Sequence, residues 1–335
     1  MRNRNRTSQM EKLPLESLLT QAQNAKAQNN PKLERKIYKI ICKVHKGRIE
    51  AADAYFFLGV YYEENHQFST AVKKFTKIME RYAESSWFSQ AVEYCFQIGE
   101  KLQKGVRPRY FGVVPGFRDS DSAIKAYELV LKHAPFSHLA PEALKQIAEL
   151  QVLAKRHDLA IDALDRIIDL YPNSVEIPYA YLKIAEIYKN SVKGVEYNQG
   201  GAIIALRYYQ DFITIFPQNP EVDPVKKIIR ELEESIVKSK ISLGDFYFDV
   251  CRNREAAKKS YCLAIDVAPY TSAASTAQSR IIEINEGKKP KSTPVDFLFP
   301  HRDQKNDCVD PVNQKSVTPL IQSEDVPAPD KTNEA

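Results

Sequence analysis

Residues 138–172 read HLAPEALKQIAELQVLAKRHDLAIDALDRIIDLYP and contain two apolar patterns with helical spacing. The second pattern places Ala160, Leu164 and Pro172 at intervals of four and eight residues. Residues four apart lie on one helical face, and a proline ends a helix because it has no backbone N–H to donate. The first pattern contains Leu144 and the small residue Ala148. The stretch therefore predicts two antiparallel helices that pack closely at the small side chain.

The second-helix pattern occurs five times: an alanine, an apolar or aromatic residue four positions on, and a helix-stopping position twelve after the alanine. The five sets are Ala71/Phe75/Ala83, Ala123/Tyr127/Pro135, Ala160/Leu164/Pro172, Ala205/Tyr209/Pro217 and Ala257/Tyr261/Pro269. Each preceding helix has a small residue, in order Gly59, Cys95, Ala148, Ala185 and Gly244. This spacing is that of the tetratricopeptide (TPR) repeat. We expect the alanines and aromatics to form the core of stacked hairpins.

The repeats predict an all-α fold, a TPR-like α-solenoid of about five helical hairpins wound as a right-handed superhelix, with a disordered C-terminal tail. The solenoid is expected over residues 15–286, with repeats near 51–84, 88–136, 138–173, 176–218 and 222–270. Residues 15–46 are expected to form a degenerate helical pair, and a long charged helix is expected near 222–247. Residues 1–14 and the proline-rich polar tail 287–335 are expected to be disordered.

Composition narrows the classes of partner. The 335 residues carry 48 Lys+Arg against 43 Asp+Glu, a formal net charge of +5, which is low for a nucleic-acid binder. The longest stretch without a charged residue, 267–279, is shorter than the ~20 apolar residues that cross a bilayer. We therefore expect no nucleic-acid partner and no transmembrane span.

The sequence lacks the local motifs of enzymes and cofactor sites. It contains no HExxH, GxSxG, GxxxxGK[ST] or GxGxxG motif, and its five cysteines have no CxxC spacing. His133 and His138 are five residues apart, which does not place them on one helical face. We expect no catalytic residue, no cofactor and no metal site, and a protein that is not an enzyme.

Stacked hairpins expose the outward positions of their first helices in a concave groove. The positions expected there are Phe56, Val60, Glu63, Lys145, Glu149, Tyr179, Leu182 and Lys189. An insertion at 104–121 adds Arg107, Arg109 and Tyr110, a composition enriched at protein interfaces. The alternative for this insertion is that Tyr110 and Phe111 fold back and cover the apolar edge of repeat two. A groove of mixed apolar and charged residues suits an extended or helical peptide.

The C-terminal half carries a more specific order of features. Residues 196–222 (EYNQGGAIIALRYYQDFITIFPQNPEV) precede the helical stretch 228–271 (IIRELEESIVKSKISLGDFYFDVCRNREAAKKSYCLAIDVAPYT). Together they resemble the BamD/ComL (YfiO-type) family, periplasmic TPR lipoproteins of the outer-membrane β-barrel assembly machinery. The resemblance implies a scaffold on the periplasmic face of the outer membrane. Its implied partners are subunits of that machinery and unfolded outer-membrane proteins.

The N-terminus departs from that family. Family members carry a signal peptide that ends in a lipobox cysteine, and neither feature follows Met1. A lipid anchor is therefore expected only if the true start lies upstream. The alternative hypothesis is a cytoplasmic TPR co-chaperone or secretion-chaperone scaffold.

Overall fold

The computed structural model describes residues 10–110, 114–116, 120–191 and 199–290. These residues form thirteen α-helices and one antiparallel pair of two-residue strands, β1 (Arg109–Tyr110) and β2 (Val114–Pro115). The helices are α1 (Leu15–Ala27), α2 (Pro31–Val44), α3 (Ala51–Glu64), α4 (Phe68–Arg81), α5 (Phe88–Gln103), α6 (Ser120–His133), α7 (Leu139–Leu153), α8 (His157–Leu170), α9 (Ile177–Ser191), α10 (Gly200–Ile215), α11 (Val222–Asp249), α12 (Arg254–Val267) and α13 (Ser272–Asn285). The predicted all-α class is confirmed. The predicted disorder of residues 1–9 and 291–335 lies outside the described residues.

Helices that follow one another along the chain pack together. Hairpins form between α1 and α2, α3 and α4, α5 and α6, and α7 and α8. Between successive hairpins, α2 contacts α3, α4 contacts α5, and α6 contacts α7. Such neighbour-to-neighbour packing is the arrangement of a helical solenoid. The helical pair predicted at 15–46 is present as α1 and α2, and the long charged helix predicted near 222–247 is present as α11.

The contacts divide the chain into two compact units. Among the described residues, the first unit contains 10–187 and 207–222, and the second contains 188–206 and 223–290. Helices α1 to α8 lie in the first unit, and α12 and α13 pack together in the second. The domain boundaries stated from the sequence remain predictions.

Small residues allow the two helices of a hairpin to approach closely. A Cβ atom added to Gly59 of α3 would lie 2.5 Å from Cε1 of Phe75 in α4, inside the van der Waals distance. Gly244 of α11 faces the ring of Tyr261 in α12 in the same way. Any larger side chain at either glycine would push the aromatic ring away. The predicted role of these two glycines is confirmed.

In the α5–α6 hairpin the sequence points to the wrong residue. Gly99 makes the approach that Gly59 and Gly244 make in their hairpins, since an added Cβ there would lie 2.7 Å from Cε1 of Tyr127. Cys95 is fully buried but lies one helical turn earlier. Two small residues four apart occupy the same face, so spacing alone does not distinguish them.

The repeated alanines and their partners form the core, as predicted. Each of the following side chains is 0% exposed: Ala71, Phe75, Ala123, Tyr127, Ala160, Leu164, Ala205, Ala257 and Tyr261. Alanine at the first position leaves room for the neighbouring helix, and the larger residue one turn later fills the space between helices.

Two tyrosines at the ends of second helices connect successive hairpins. The hydroxyl of Tyr82 donates to the backbone carbonyl of Lys46 at 2.6 Å, and that of Tyr171 donates to the carbonyl of Pro135 at 2.8 Å. Both bonds join residues 36 positions apart, at the end of one hairpin and the end of the preceding one. They satisfy backbone carbonyls in the turns that follow α2 and α6.

Candidate protein-binding surface

The flank of α3 that carries Phe56 and Glu63 is covered by the next hairpin. Phe56 is 6% exposed and stacks on Trp87, just before α5, with 4.1 Å between ring centroids. Glu63 is also 6% exposed and forms an ion pair with Lys101 of α5. The outward orientation predicted for Phe56 and Glu63 is therefore wrong, because α5 packs on this flank.

The outward face of α3 lies slightly further around the helix. It carries Asp53, Val60 and Glu64, which share one face at spacings of seven and four residues. Val60 is half-buried, as is Asp53, whose carboxylate accepts a hydrogen bond from the Trp87 indole at 2.5 Å. The sequence prediction included Val60 but not the two acidic residues.

The same positions in the following first helices are mostly acidic. Counted from the small residue of each helix, the positions of Asp53 and Val60 correspond to Glu93, Glu100, Glu142, Glu149, Tyr179 and Glu186. All six side chains are half-buried or exposed. We call these six residues, with Asp53 and Val60, the first-helix face. Four of its glutamates were missed from the sequence, namely Glu93, Glu100, Glu142 and Glu186. Glu100 and Glu186 share the repeat position of Val60, and that shared position was available as a signal.

Besides burial itself, three carboxylates of the first-helix face raise the pKa of one buried hydroxyl group, that of Tyr127. Burial raises the pKa of the Tyr127 hydroxyl, and the negative charges of Glu100, Glu142 and Glu149 raise it further. Residues from two consecutive first helices therefore contribute to one negative field. A partner segment placed on this face would meet several carboxylates at once.

Three residues predicted from the sequence meet where α7 contacts α9. The Tyr179 hydroxyl donates to Glu149 Oε1 at 3.1 Å, and the Lys145 ammonium lies 5.1 Å from the centroid of the Tyr179 ring. Lys145 Nζ also lies 2.9 Å from Glu176 Oε2 and 3.4 Å from Glu142 Oε2. We call these five residues the α7–α9 cluster.

The α7–α9 cluster places three carboxyl groups around one ammonium group. Burial alone would raise the pKa of Glu142, but hydrogen bonds from neighbours, first that of Gln146, hold it below its ordinary value. Burial opposes the charge of Lys145, yet Glu176 and Glu142 raise the pKa of its ammonium. Burial also raises the pKa of Glu176. Three carboxyl groups of this cluster therefore lie beside a single lysine.

The remaining predicted residues do not join this cluster. Leu182 and Lys189 are half-buried on α9, and Lys189 belongs to the second compact unit. Arg107 and Arg109 are part of the insertion after α5, where the Arg109 N–H donates to the His66 carbonyl at 2.7 Å. The side chain of Tyr110 lies outside the described residues, so neither alternative for the insertion is decided. Binding roles for all of these residues remain predictions.

The two short strands of the insertion were not predicted. They pair Arg109 with Pro115 and Tyr110 with Val114, and the Gly116 N–H donates to the Pro108 carbonyl at 2.6 Å. Strands of two residues are too short to show alternating hydrophobicity, so the sequence carries no periodic signal for them.

Comparison with known proteins supports the repeat assignment. A family model described as a tetratricopeptide repeat matches residues 142–174, which covers most of α7 and all of α8. The chain has a TPR-type fold. TPR hairpins generally form scaffolds that bind other proteins rather than catalytic centres.

One curated relative is similar over a longer stretch. The outer membrane protein assembly factor BamD of Rickettsia prowazekii (strain Madrid E) is 24% identical over 161 residues, which is 48% of this chain. The chain spans 64% of the length of that relative.

Two solved structures are similar at low identity. The C-terminal part of a TPR repeat-containing protein from Cytophaga hutchinsonii is 15% identical, with a TM-score of 0.33, over 76% of this chain and 84% of that one. A thermophilic TPR protein from Thermus thermophilus is 18% identical, with a TM-score of 0.30, over 57% of this chain and 99% of that one.

Neither a membrane-spanning helix nor a metal-binding group is found in the described residues. Within 10–110, 114–116, 120–191 and 199–290, no helix is both long and apolar enough to cross a membrane. Over the same ranges, no three His, Cys, Asp or Glu side chains are grouped so that they could hold a metal ion.

Proposed function

We propose that this chain is a non-enzymatic scaffold that binds a basic segment of a partner protein on its first-helix face. The observation that carries the proposal is the repetition of glutamate at equivalent outward positions of α5, α7 and α9. Charges arranged on packed helices stay in fixed positions, so they attract a partner of opposite charge and set its register. The acidic face therefore favours a partner segment rich in lysine or arginine.

The α7–α9 cluster supplies the anchor for such a segment. The Tyr179 ring is half-buried, and its position is fixed by the hydrogen bond to Glu149 and by contact with Lys145. A tyrosine held in this way offers a large contact area at a low entropic cost, which is typical of residues that dominate binding energy. Arginine from the partner would pair with Glu149 and stack on the tyrosine ring.

The process we propose for the scaffold is the assembly of outer-membrane proteins. The supporting observation is the similarity to BamD over 161 residues, together with the resemblance of residues 196–271. The proposed partners are subunits of the barrel-assembly machinery and unfolded outer-membrane proteins. The proposed location is the periplasmic face of the outer membrane.

The test is site-specific photocrosslinking of the full chain in its native host, followed by fractionation. A benzophenone side chain replaces Val60 on the first-helix face, and the matched control replaces Leu159 of α8, which is 52% exposed. We expect crosslinks to envelope proteins from position 60 in the outer-membrane fraction and none from position 159. Recovery in the cytoplasm, with crosslinks to chaperones or secretion substrates, would refute the outer-membrane role.

A second experiment tests the acidic face itself. Three exposed or half-buried glutamates are changed together to glutamine, namely Glu93, Glu100 and Glu149. A control chain loses the same charge from exposed or half-buried positions of second helices, namely Glu128, Asp158 and Asp162. We expect the first variant to lose the position-60 crosslinks and the control to keep them. Equal crosslinking by both variants would show that the carboxylates do not hold the partner.

A further inference from the structure

A second charged surface lies on the other helix of the α3–α4 hairpin. Lys73, Lys77 and Arg81 follow one another at intervals of four residues along α4, so they form a row on one face with about 6 Å between steps. The row borders a groove of about 360 Å³ that is also lined by Lys46, Lys74 and Tyr55. Five cationic side chains therefore surround one groove. Its charge is opposite to that of the first-helix face.

These cations have little internal neutralisation. Lys77 Nζ lies 2.7 Å from Glu80 Oε2, an exposed pair between neighbouring turns of α4. Within the part of the chain that the structure describes, no ion pair involves Lys46, Lys73, Lys74 or Arg81. An exposed pair such as Lys77–Glu80 is weak, so an incoming carboxylate can compete for the lysine.

The floor of the groove is a fixed aromatic ring. Tyr55 is 6% exposed, and its hydroxyl donates to the Cys42 carbonyl at 3.1 Å. The Lys74 ammonium lies 5.4 Å from the centroid of the Tyr55 ring, which holds the lysine at the groove. The groove therefore combines an apolar floor with charged walls, as peptide-binding grooves do.

We propose that this groove, the α4 groove, binds an extended acidic segment of a partner protein with Asp or Glu at alternate positions. Side chains two apart on an extended chain lie about 6.6 Å from each other on one side, close to the step between Lys73, Lys77 and Arg81. Three alternate carboxylates would thus each meet one cation of the row. This surface is separate from the first-helix face and binds the opposite charge, so it goes beyond the proposed function.

The dimensions favour a peptide over other polyanions. The cationic row extends about 12 Å along α4, the length of a four- or five-residue extended segment. Nucleic-acid sites extend a basic stripe over a larger part of the surface, and a lipid surface is contacted by a flat or protruding patch rather than through a groove with a buried floor.

The test is fluorescence anisotropy with the full chain and labelled heptapeptides. The probe is Gly-Asp-Ala-Asp-Ala-Asp-Gly, and its matched control has Asn at the three Asp positions. The protein variant is Lys73→Gln/Lys77→Gln/Arg81→Gln. The control variant removes three exposed or half-exposed cations elsewhere in the first unit, at Lys32, Lys125 and Arg166. Circular dichroism confirms that both variants keep the helical content of the parent.

We expect the Asp peptide to bind the parent and the control variant, and the groove variant to bind it about tenfold more weakly. Two further probes test whether the groove binds a nucleic acid or a lipid surface instead of a peptide. They are a twelve-residue oligothymidylate, and vesicles of one part phosphatidylglycerol to three parts phosphatidylcholine. Equal affinity for the Asp and Asn peptides, or equal loss in both variants, would overturn the proposal. So would binding of the oligonucleotide or the vesicles through the row when the Asp peptide does not bind.

Discussion

Replacing Gly99 by alanine should destabilise the chain, although alanine is the better helix former. An added Cβ would lie 2.7 Å from Cε1 and 2.8 Å from Cζ of Tyr127. The ring cannot move aside easily, because Tyr127 is fully buried and its hydroxyl donates to Gln103 at 2.8 Å. Overpacking of this kind costs about 1–3 kcal/mol, whereas Gly→Ala in a helix contributes about 1 kcal/mol in the opposite direction.

The expected net loss is therefore up to about 2 kcal/mol, which lowers the melting temperature of a domain of this size by up to roughly 8 °C. Thermal unfolding followed by far-ultraviolet circular dichroism measures it. Gly47→Ala is the control, since nothing lies within 4 Å of an added Cβ there. Adding Tyr127→Leu to Gly99→Ala should leave the double variant more stable than the sum of the two single losses predicts. A Gly99→Ala chain that is about 1 kcal/mol more stable than the parent would refute the close-approach argument, since that is the gain expected from helix propensity alone.

Three more changes test the packing of the hairpins. Tyr171→Phe removes the donor to the Pro135 carbonyl and should cost about 1 kcal/mol in urea unfolding. Lys101→Met leaves the buried Glu63 carboxylate without its cation, and should cost about 1 kcal/mol because the lysine is partly exposed. Burial, and then the neighbouring aspartates of α8, raise the pKa of Asp165, so its ionisation weakens the fold as pH rises above about 4. Asp165→Asn should therefore stabilise the chain at pH 7, and reduce the loss of melting temperature between about pH 4 and 7.

The Lys101 and Asp165 changes have matched controls, and the Tyr171 change has a second variant that tests the equivalent bond. Tyr82→Phe should behave like the Tyr171 variant, because Tyr82 makes the equivalent bond to Lys46. Lys104→Met removes an exposed lysine 3.7 Å from Glu100 and should have little effect. Asp158→Asn changes an exposed aspartate on the same helix as Asp165. If Lys104→Met lost as much stability as Lys101→Met, the assigned role of Lys101 would be contradicted. If Asp158→Asn gained as much stability as Asp165→Asn, the assigned role of Asp165 would be contradicted. An unchanged stability of the Tyr82→Phe variant would contradict the role of the tyrosine bonds.

The repeat pattern predicted the helices and their core because it depends on local rules. An alanine and a larger apolar residue one turn apart mark the buried side of a helix, whatever its partner is. This is why the pattern Ala160/Leu164/Pro172 located the second helix of its repeat, observed as α8, and why Ala160 and Leu164 are fully buried as predicted. Proline after the pattern marks the end of the second helix for the same local reason.

The binding surface was predicted less well because it depends on which flank of each helix its neighbour covers. Phe56 and Val60 lie one helical turn apart, yet α5 covers Phe56 and leaves Val60 partly exposed. That outcome depends on how the two hairpins cross, and the spacing within one helix does not contain this information. The α4 groove was not predicted from the sequence for a similar reason, because Lys46 and Lys73 come from different helical hairpins.

The sequence by itself determined that the chain is a series of helical hairpins with closely packed small residues, because helix formation and amphipathic spacing are properties of neighbouring residues. Only the tertiary structure decided that Gly99 rather than Cys95 makes the close contact in α5. It also decided which carboxylates share the first-helix face and which cations line the α4 groove. Those arrangements bring together residues from helices far apart in sequence, and packing between hairpins sets their distances.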